Sequence, residues 1–243
     1  FNIGGEGQYV VGLTVAQFVA ILGPQIPVGH WLLAVSLAAL AGGLWGGIVG
    51  WLKAKYEVSE VVATIMLNYI ALYASRILVM RIPGTNTYKT PDFPATATLR
   101  SEFLEKITKG SMLNLGILFV IVSVVAYWFI IEKTRLGFGL RATGLNKDGA
   151  RASGIPVVKS IVLSMAIAGA FAGLAGGVVS LGSFRFGRVL AGNDGYGFSG
   201  IAVALVGNST ALGTLLAGLL FGMLSSAQPL MESNQIPKEI TFI

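Results

Sequence analysis

The stretch WLLAVSLAALAGGLWGGIVGWL, residues 31–52, has no charged side chain and no polar face at any helical register. About 20 such residues are enough for a helix to cross the hydrocarbon core of a bilayer. The sequence therefore predicts an all-α polytopic membrane protein with about six to seven transmembrane helices. The other apolar stretches are 9–23, 58–80, 112–131, 160–182 and a longer, interrupted one at 199–231.

The composition supports this class and excludes several others. Of 243 residues, 54% are hydrophobic and 12% are charged, whereas soluble domains carry about 25% charged residues. The chain has no cysteine, its one histidine (His30) lies at the edge of a span without clustered carboxylates, and it has no G-x-x-x-x-G-K loop. We therefore expect no metal site, no catalytic residues and no ATP hydrolysis by this chain. The net charge of +6 indicates basic membrane loops rather than nucleic-acid binding.

The interrupted stretch contains GNSTALG at 207–213. It is too long for one span and too short for two, so we expect a half-helix near 199–206, a break, and a full helix near 214–231. Broken helices occur in membranes only where the freed backbone is buried in protein or lines a cavity. This break near 199–213 suggests a translocation path.

Two spans contain glycines at every fourth position, which places them on one helix face. Such faces allow two helix backbones to approach closely. They favour tight packing, with a sliding interface for alternating access as the alternative, and their recurrence hints at an internal repeat. The ladders are Gly42, Gly46 and Gly50, and Gly169, Gly173 and Gly177.

Polar residues in and before the spans are candidates for the path. Glu60, Thr64 and Asn68 lie at i, i+4 and i+8 and form one stripe on an apolar helix. Glu60 lies near the helix end, so an interfacial carboxylate beside Lys53 and Lys55 is the alternative. For Asn68, a pore wall and an interhelical hydrogen bond are equally good interpretations.

FNIGGEGQ, residues 1–8, combines Asn2, Glu6 and Gln8 with three glycines directly before a span. It is either an ordinary loop or an irregular segment that lines a cavity. Further along, FRFGRVLAGNDGYG at 184–197 is aromatic and basic. It is either an interfacial anchor or a surface where Phe184, Arg185 and Arg188 dock an external partner.

GFGLRATGLNKDGARASGIP, residues 137–156, is a short basic segment between apolar spans. Asn146 is a favourable N-cap and Gly154 a favourable residue just after a helix C-terminus, so a helix is predicted over 147–153. Lys147 and Arg151 share one face, and the small residues Gly149 and Ala152 are expected to pack inward. The helix either lies on anionic lipid or fits a cytoplasmic partner.

LRATGLNKDGARASGI at 140–155 resembles the signature LRA-x-G-x-N-x-x-A-A-x-x-x-GI of ABC-importer permeases of the branched-chain amino acid, ribose and nucleoside type. Residues 1–8 resemble the NIG-x-EGQ stretch of that family. Residues 60–72 and 197–222 resemble its nucleoside branch. The one departure is Gly149, where the family often has Ala, and it is expected to loosen the helix slightly.

The resemblance implies one permease domain over 1–243, with an extracytoplasmic loop at 81–111 and a cytoplasmic loop at 132–159 that contains a coupling helix. Asn2, Glu6, Gln8, Glu60, Thr64 and Asn68 would line or support the path. The residues implied to contact the ATPase are Leu140, Arg141, Gly144, Asn146, Lys147, Arg151 and Gly154.

The implied partners are cytoplasmic ATP-binding-cassette subunits, a second permease subunit and an extracytoplasmic binding protein, often a lipoprotein, at the plasma membrane of a bacterium or archaeon. ATP and Mg would be bound by the ATPase, and no cofactor by this chain. The chain begins with Phe and stops in an apolar run, so a fragment of a longer permease is expected. The alternatives are import of sugars or branched-chain amino acids, a carrier or channel without an ATPase, and a membrane scaffold.

Overall fold

The computed structural model describes residues 2–27, 29–101, 104, 106 and 113–234. Within them, six helices are long and apolar enough to cross a membrane, and a shorter apolar helix lies at Tyr196–Val206. The predicted all-α polytopic architecture is confirmed. In chain order the elements are α1 Gly5–Leu22, α2 Gly29–Tyr56, α3 Glu60–Val79, β1 Lys89–Asp92, α4 Gly116–Lys133, α5 Arg135–Leu145, α6 Lys147–Ala152, α7 Val157–Ser183, β2 Phe186–Arg188, α8 Tyr196–Val206 and α9 Ala211–Ser233.

The long helix α7 defines the two ends of the bundle. α7 has 27 residues, a length of about 40 Å at 1.5 Å per residue. In the chain it is the next element after α6 and the last element before β2. We call these two sides the α5–α6 end and the β1–β2 end.

The centre of the bundle is formed by α1, α2 and α7, whose glycines let the backbones touch. A Cβ atom at Gly169 would lie 2.3 Å from the carbonyl oxygen of Gly42, and one at Gly173 would lie 2.4 Å from that of Ala38. A Cβ atom at Gly12 in α1 would lie 2.2 Å from the carbonyl oxygen of Gly173. The two predicted glycine ladders therefore face each other across the α2–α7 contact, which confirms tight packing as their role.

The outer helices α4 and α9 are mostly exposed. In each of them only 6% of an 18-residue apolar stretch is buried inside the protein. Lipid tails are as apolar as leucine, so such helices need no protein partner on their outer faces. The exposed apolar side chains are therefore consistent with a membrane protein.

Two helix boundaries differ from the sequence-based expectation. α1 begins at Gly5 instead of residue 9, so GEGQ, the second half of FNIGGEGQ, forms its first turn. An additional helix, α5, precedes the predicted one in the basic segment, and the Thr134 hydroxyl caps it by accepting a hydrogen bond from Gly137 N at 3.0 Å. In both places glycines and polar side chains suggested a loop, but the buried contact with Asn68 stabilises the start of α1 and the Thr134 cap stabilises α5.

The predicted coupling helix forms as α6, one residue shorter than expected. The Asn146 side chain accepts from the N–H groups of Asp148 and Gly149, and Gly154 adopts a φ of +79° after the helix end. The predicted inward face was wrong: Gly149 and Ala152 are exposed, and Ala150 is the buried residue. With six residues, the helix buries one side chain, that of Ala150.

At the β1–β2 end, part of the predicted 81–111 loop is a strand. β1 pairs antiparallel with β2, with Lys89 opposite Arg188. His30 is fully buried rather than interfacial, as its ring nitrogens contact Thr96 Oγ1 and the carbonyl oxygen of Val19, each at 2.9 Å. This histidine ties the start of α2 to the end of α1 and to the loop.

The predicted break lies at 207–210, between α8 and α9. Asn208 and Ser209 adopt φ values of 50° and 53°. The hydroxyl of Tyr127 in α4 donates a 2.8 Å hydrogen bond to the carbonyl oxygen of Ser209. The half-helix and the full helix are both confirmed, and each begins three residues earlier than expected.

Candidate functional site

The N-terminus of α1 lies inside the bundle. Gly7 N donates to the Asn68 side-chain oxygen at 2.8 Å, and the Asn68 amide nitrogen donates to the carbonyl oxygen of Ile3 at 3.1 Å. Asn68 lies near the middle of α3, so the first turn of α1 is level with the middle of a spanning helix. Of the two interpretations of Asn68, the structure shows the interhelical bond.

Glu6 joins α1 to the half-helix α8. Its side chain is 0% exposed. Its two oxygens accept hydrogen bonds from Gly195 N at 2.9 Å and from Gly197 N at 2.6 Å. These are N–H groups at the start of α8, where a helix leaves donors unpaired and carries positive partial charge. Glu6 therefore caps another helix from within the membrane region.

The segment between β2 and α8 leads from the β1–β2 end into the bundle, where it contacts Glu6. Gly195 adopts a φ of +81°, a conformation that favours glycine. A Cβ atom on Gly197 would lie 2.2 Å from Glu6 N. Residues 189–206 thus form a re-entrant segment, an irregular stretch followed by a half-helix, which sequence analysis had divided between a surface loop and a half-helix.

Of the remaining path candidates, Asn2 and Gln8 pair through reciprocal amide hydrogen bonds of 2.6 and 3.2 Å. The buried Thr64 hydroxyl donates to carbonyl oxygens of its own helix. Glu60 forms an ion pair with Lys53, as the interfacial alternative expected. The structure thus brings Asn2, Gln8 and Asn68 together around the start of α1 and leaves Glu60 nearer the α5–α6 end.

A second polar cluster beside Glu6 was missed from sequence. Asp194 Oδ2 accepts a 2.5 Å hydrogen bond from Arg188 and a 3.1 Å hydrogen bond from the Tyr9 hydroxyl. The ring centroids of Tyr9 and Tyr196 lie 5.5 Å apart. Burial alone would lower the pKa of Arg188, but the hydrogen bond and charge of Asp194 raise it above its ordinary value. The only sequence signal was the basic and acidic pair in GRVLAGND.

The three docking candidates lie in different surroundings. Arg185 is exposed and Phe184 is half-buried. The guanidinium of Arg188 stacks 4.4 Å from the centroid of Phe184 and points towards Asp194. Arg188 is thus engaged by its own chain, whereas Arg185 is available at the surface.

Three cavities meet at Asn2. One of about 390 Å³ lies between α1, α7 and α8 and is lined by Tyr196, Phe171 and small residues. A second of about 460 Å³ continues towards α4 and α9. A third of about 420 Å³ opens at the α5–α6 end. Asn2 and Ala168 line all three, so the three cavities are adjacent to one another. We call the 390 Å³ cavity the aromatic chamber.

All but one of the coupling candidates are exposed. Arg141, Asn146, Lys147 and Arg151 are exposed, as are Gly144 and Gly154. Leu140 is half-buried and, together with Gly144 and Lys147, lines the 420 Å³ cavity. The basic segment therefore lines one of the cavities that Asn2 also lines.

The family model described as "Branched-chain amino acid transport system / permease component" matches residues 1–241. The chain belongs to this permease family. The match covers the re-entrant segment, the polar junction at Glu6 and the basic segment α5–α6. No solved structure shows a significant match to the permease.

Several curated relatives resemble the permease over most of its length. The guanosine ABC transporter permease protein NupP of Bacillus subtilis is 46% identical, over 100% of this chain and 70% of that protein. The nucleoside ABC transporter permease protein NupB of Lactococcus lactis is 36% identical, over 99% and 68%. The glucose ABC transporter permease protein TsgB13 of Haloferax volcanii is 33% identical, over 92% and 61%.

Proposed function

We propose that the permease is the membrane-spanning, non-catalytic subunit of an ABC importer that moves nucleosides. The observation that carries this proposal is the half-helix α8, which Glu6 holds beside the aromatic chamber in the interior of the bundle. Discontinuous helices that end near the middle of a membrane are typical of solute paths. Relatives named as guanosine and nucleoside permeases support the substrate class.

The lining of the aromatic chamber favours a nucleoside over a sugar. Tyr196 and Phe171 offer aromatic rings, and Asn2 offers an amide among mostly small or apolar side chains. A planar base can stack on such rings, whereas the many hydroxyl groups of a hexose would find few hydrogen-bond partners there. Glucose is the second candidate, because a glucose permease is among the relatives.

The permease family and the exposed basic segment support a set of partners. We place the α5–α6 end in the cytoplasm of a bacterial or archaeal cell, where Arg141, Lys147 and Arg151 would contact an ATP-binding subunit. That subunit would bind ATP and Mg. A second permease subunit would complete the membrane part, and an extracytoplasmic binding protein would dock at the β1–β2 end near Phe184 and Arg185.

Charge reversal tests the coupling surface. Arg151→Glu should abolish co-purification of the permease with its ATP-binding subunit, because the exposed face of α6 would then repel the groove that receives it. Lys159→Glu is the matched control, since Lys159 is also exposed at this end but lies in α7. Equal assembly of both variants with the ATPase would contradict the coupling assignment.

Uptake of labelled solutes tests the substrate. Membrane vesicles with the complete transporter are offered guanosine, ribose, glucose and leucine, with and without internal ATP. We expect ATP-dependent uptake of guanosine, with competition by other nucleosides and not by leucine. Uptake that persists without the ATPase would instead identify a carrier or channel, and preferential glucose uptake would select the sugar alternative.

A further inference from the structure

The 420 Å³ cavity at the α5–α6 end differs in chemistry from the aromatic chamber. Its wall includes the Lys53–Glu60 ion pair, Lys147 at the start of α6, and three hydroxyl side chains. We propose that this cavity is an inner binding site for the hydroxylated part of the solute, occupied before release. The proposal rests on the proposed function for the identity of that solute.

The charged groups suit a neutral, hydroxyl-rich ligand. The side chains of Lys53 and Glu60 are 27% and 31% exposed, so the pair is accessible without being fully solvated. A hydroxyl group can donate to the Glu60 carboxylate and accept from an ammonium group, and hydrogen bonds to charged partners are the stronger ones. Lys147 forms no ion pair with any residue that the structure describes, which leaves its ammonium group available for a ligand.

Thr143 supplies a second observation. The residue lies on the cavity wall and is only 5% exposed. Within the described part of the chain its Oγ1 atom has no hydrogen-bond partner. A buried hydroxyl without a partner destabilises the protein unless something else satisfies it. A ligand hydroxyl in this cavity would satisfy it.

The position of the cavity fits a nucleoside that moves through the bundle. Asn2 and Ala168 line both the aromatic chamber and this cavity. A base in the aromatic chamber would leave the ribose at Asn2, on the boundary between the two. From there the ribose can enter a cavity whose wall includes Lys147, the first residue of α6. A solute bound in this cavity would therefore contact the helix that is proposed to bind the ATPase.

The experiment uses the complete transporter and a pair of ligands. Thermal unfolding of the purified complex is measured with adenosine and with 2′,3′-dideoxyadenosine, which lacks the 2′ and 3′ hydroxyls of the ribose and keeps the 5′ hydroxyl. Uptake of labelled guanosine is measured in right-side-out vesicles loaded with either compound. We expect adenosine to raise the melting temperature and to inhibit uptake from inside, and the dideoxy compound, which keeps the base, to do both to a clearly smaller extent.

Two substitutions locate the effect. Thr143→Val should weaken inhibition by internal adenosine about two- to tenfold, the usual contribution of one neutral hydrogen bond. Glu60→Gln should weaken it about tenfold or more, because the lost acceptor is charged. Ser180→Ala is the matched control: Ser180 in α7 is 1% exposed and its hydroxyl also has no partner among the described residues, but it does not line this cavity.

The outcomes separate this inference from the proposed function. Guanosine uptake in which both internal compounds inhibit equally, or in which both variants behave as wild type, overturns the inner site and leaves nucleoside import intact. Absence of nucleoside uptake with adenosine stabilisation that is lost in Thr143→Val overturns the proposed substrate and supports the site.

Discussion

Glu6 in the first turn of α1 accepts a 2.6 Å hydrogen bond from the backbone N–H of Gly197 in the first turn of α8. Two helix N-termini, each with positive partial charge, thus share one buried carboxylate. The contact fixes the depth at which the half-helix begins. The stability of the re-entrant segment and the shape of the aromatic chamber both depend on it.

Removal of the Glu6 carboxylate should therefore loosen α8. In Glu6→Ala the N–H groups of Gly195 and Gly197 lose a charged acceptor, and each such hydrogen bond contributes about 1.5–3 kcal/mol. We expect a lower melting temperature and loss of uptake, with a smaller effect in Glu6→Gln. Glu132→Gln, on the exposed side of α4, is the control. Wild-type stability of Glu6→Ala would argue against the cap.

Adjacent glycines in α2 should respond differently to alanine. A Cβ atom at Gly46 would lie 2.3 Å from the carbonyl oxygen of Met165, whereas one at Gly47 would lie 3.8 Å from the Ala166 side chain, an ordinary contact. We expect Gly46→Ala to prevent assembly of folded permease and Gly47→Ala to be tolerated. The yield of monodisperse protein in size-exclusion chromatography measures this. Similar yields would show that α2 and α7 are less closely packed.

The Arg188–Asp194 pair should be energetically coupled. Their side chains are only 22% and 18% exposed, so the pair is screened less than a surface ion pair. A double-mutant cycle with Arg188→Ala and Asp194→Ala should give a coupling free energy of unfolding of about 1–3 kcal/mol. Additive effects of the two substitutions would contradict this. Tyr9→Phe should cost less, since it removes one neutral donor.

Asn146 should be required for coupling as well as for local stability. Asn146→Ala removes the N-cap of α6 and should lower the stability of this helix by about 1 kcal/mol. The loss is large for α6 because a helix of six residues is only marginally stable. We expect weaker stimulation of the ATPase by solute and binding protein. Asn86→Ala is the matched control, because Asn86 makes the same type of side-chain turn at the β1–β2 end. An equal loss in both variants would indicate general destabilisation.

Much of the bundle could be predicted because membrane spans are local features. Apolar length predicts a span, and the short helix α6 was predicted from Asn146 and Gly154, whose capping preferences act within a few residues. The glycine ladders likewise predicted close packing, although sequence could not show that Gly42 and Gly169 face each other. The helix α5 was missed because glycines at 137, 139 and 144 favour a loop in isolation.

The site was only partly predictable. Asn2, Glu6 and Gln8 were recognised as unusual polar residues before a span, but their helical conformation depends on Asn68 and on α8. Tyr9 and Asp194 were missed because 185 positions of sequence separate the two side chains that meet. Sequence patterns report neighbours along the chain, and this contact is between neighbours in space only.

The sequence by itself determined the class of the protein, the apolar stretches that form its spans, the break between α8 and α9, and the capped basic helix, because each follows from local hydrophobicity or from backbone capping. The tertiary structure decided that the N-terminus of α1 lies inside the bundle and that residues 189–206 re-enter it. Glu6 can be buried there only because the N–H groups of Gly195 and Gly197 compensate for its lost hydration. That compensation exists only once the two distant segments have been brought together.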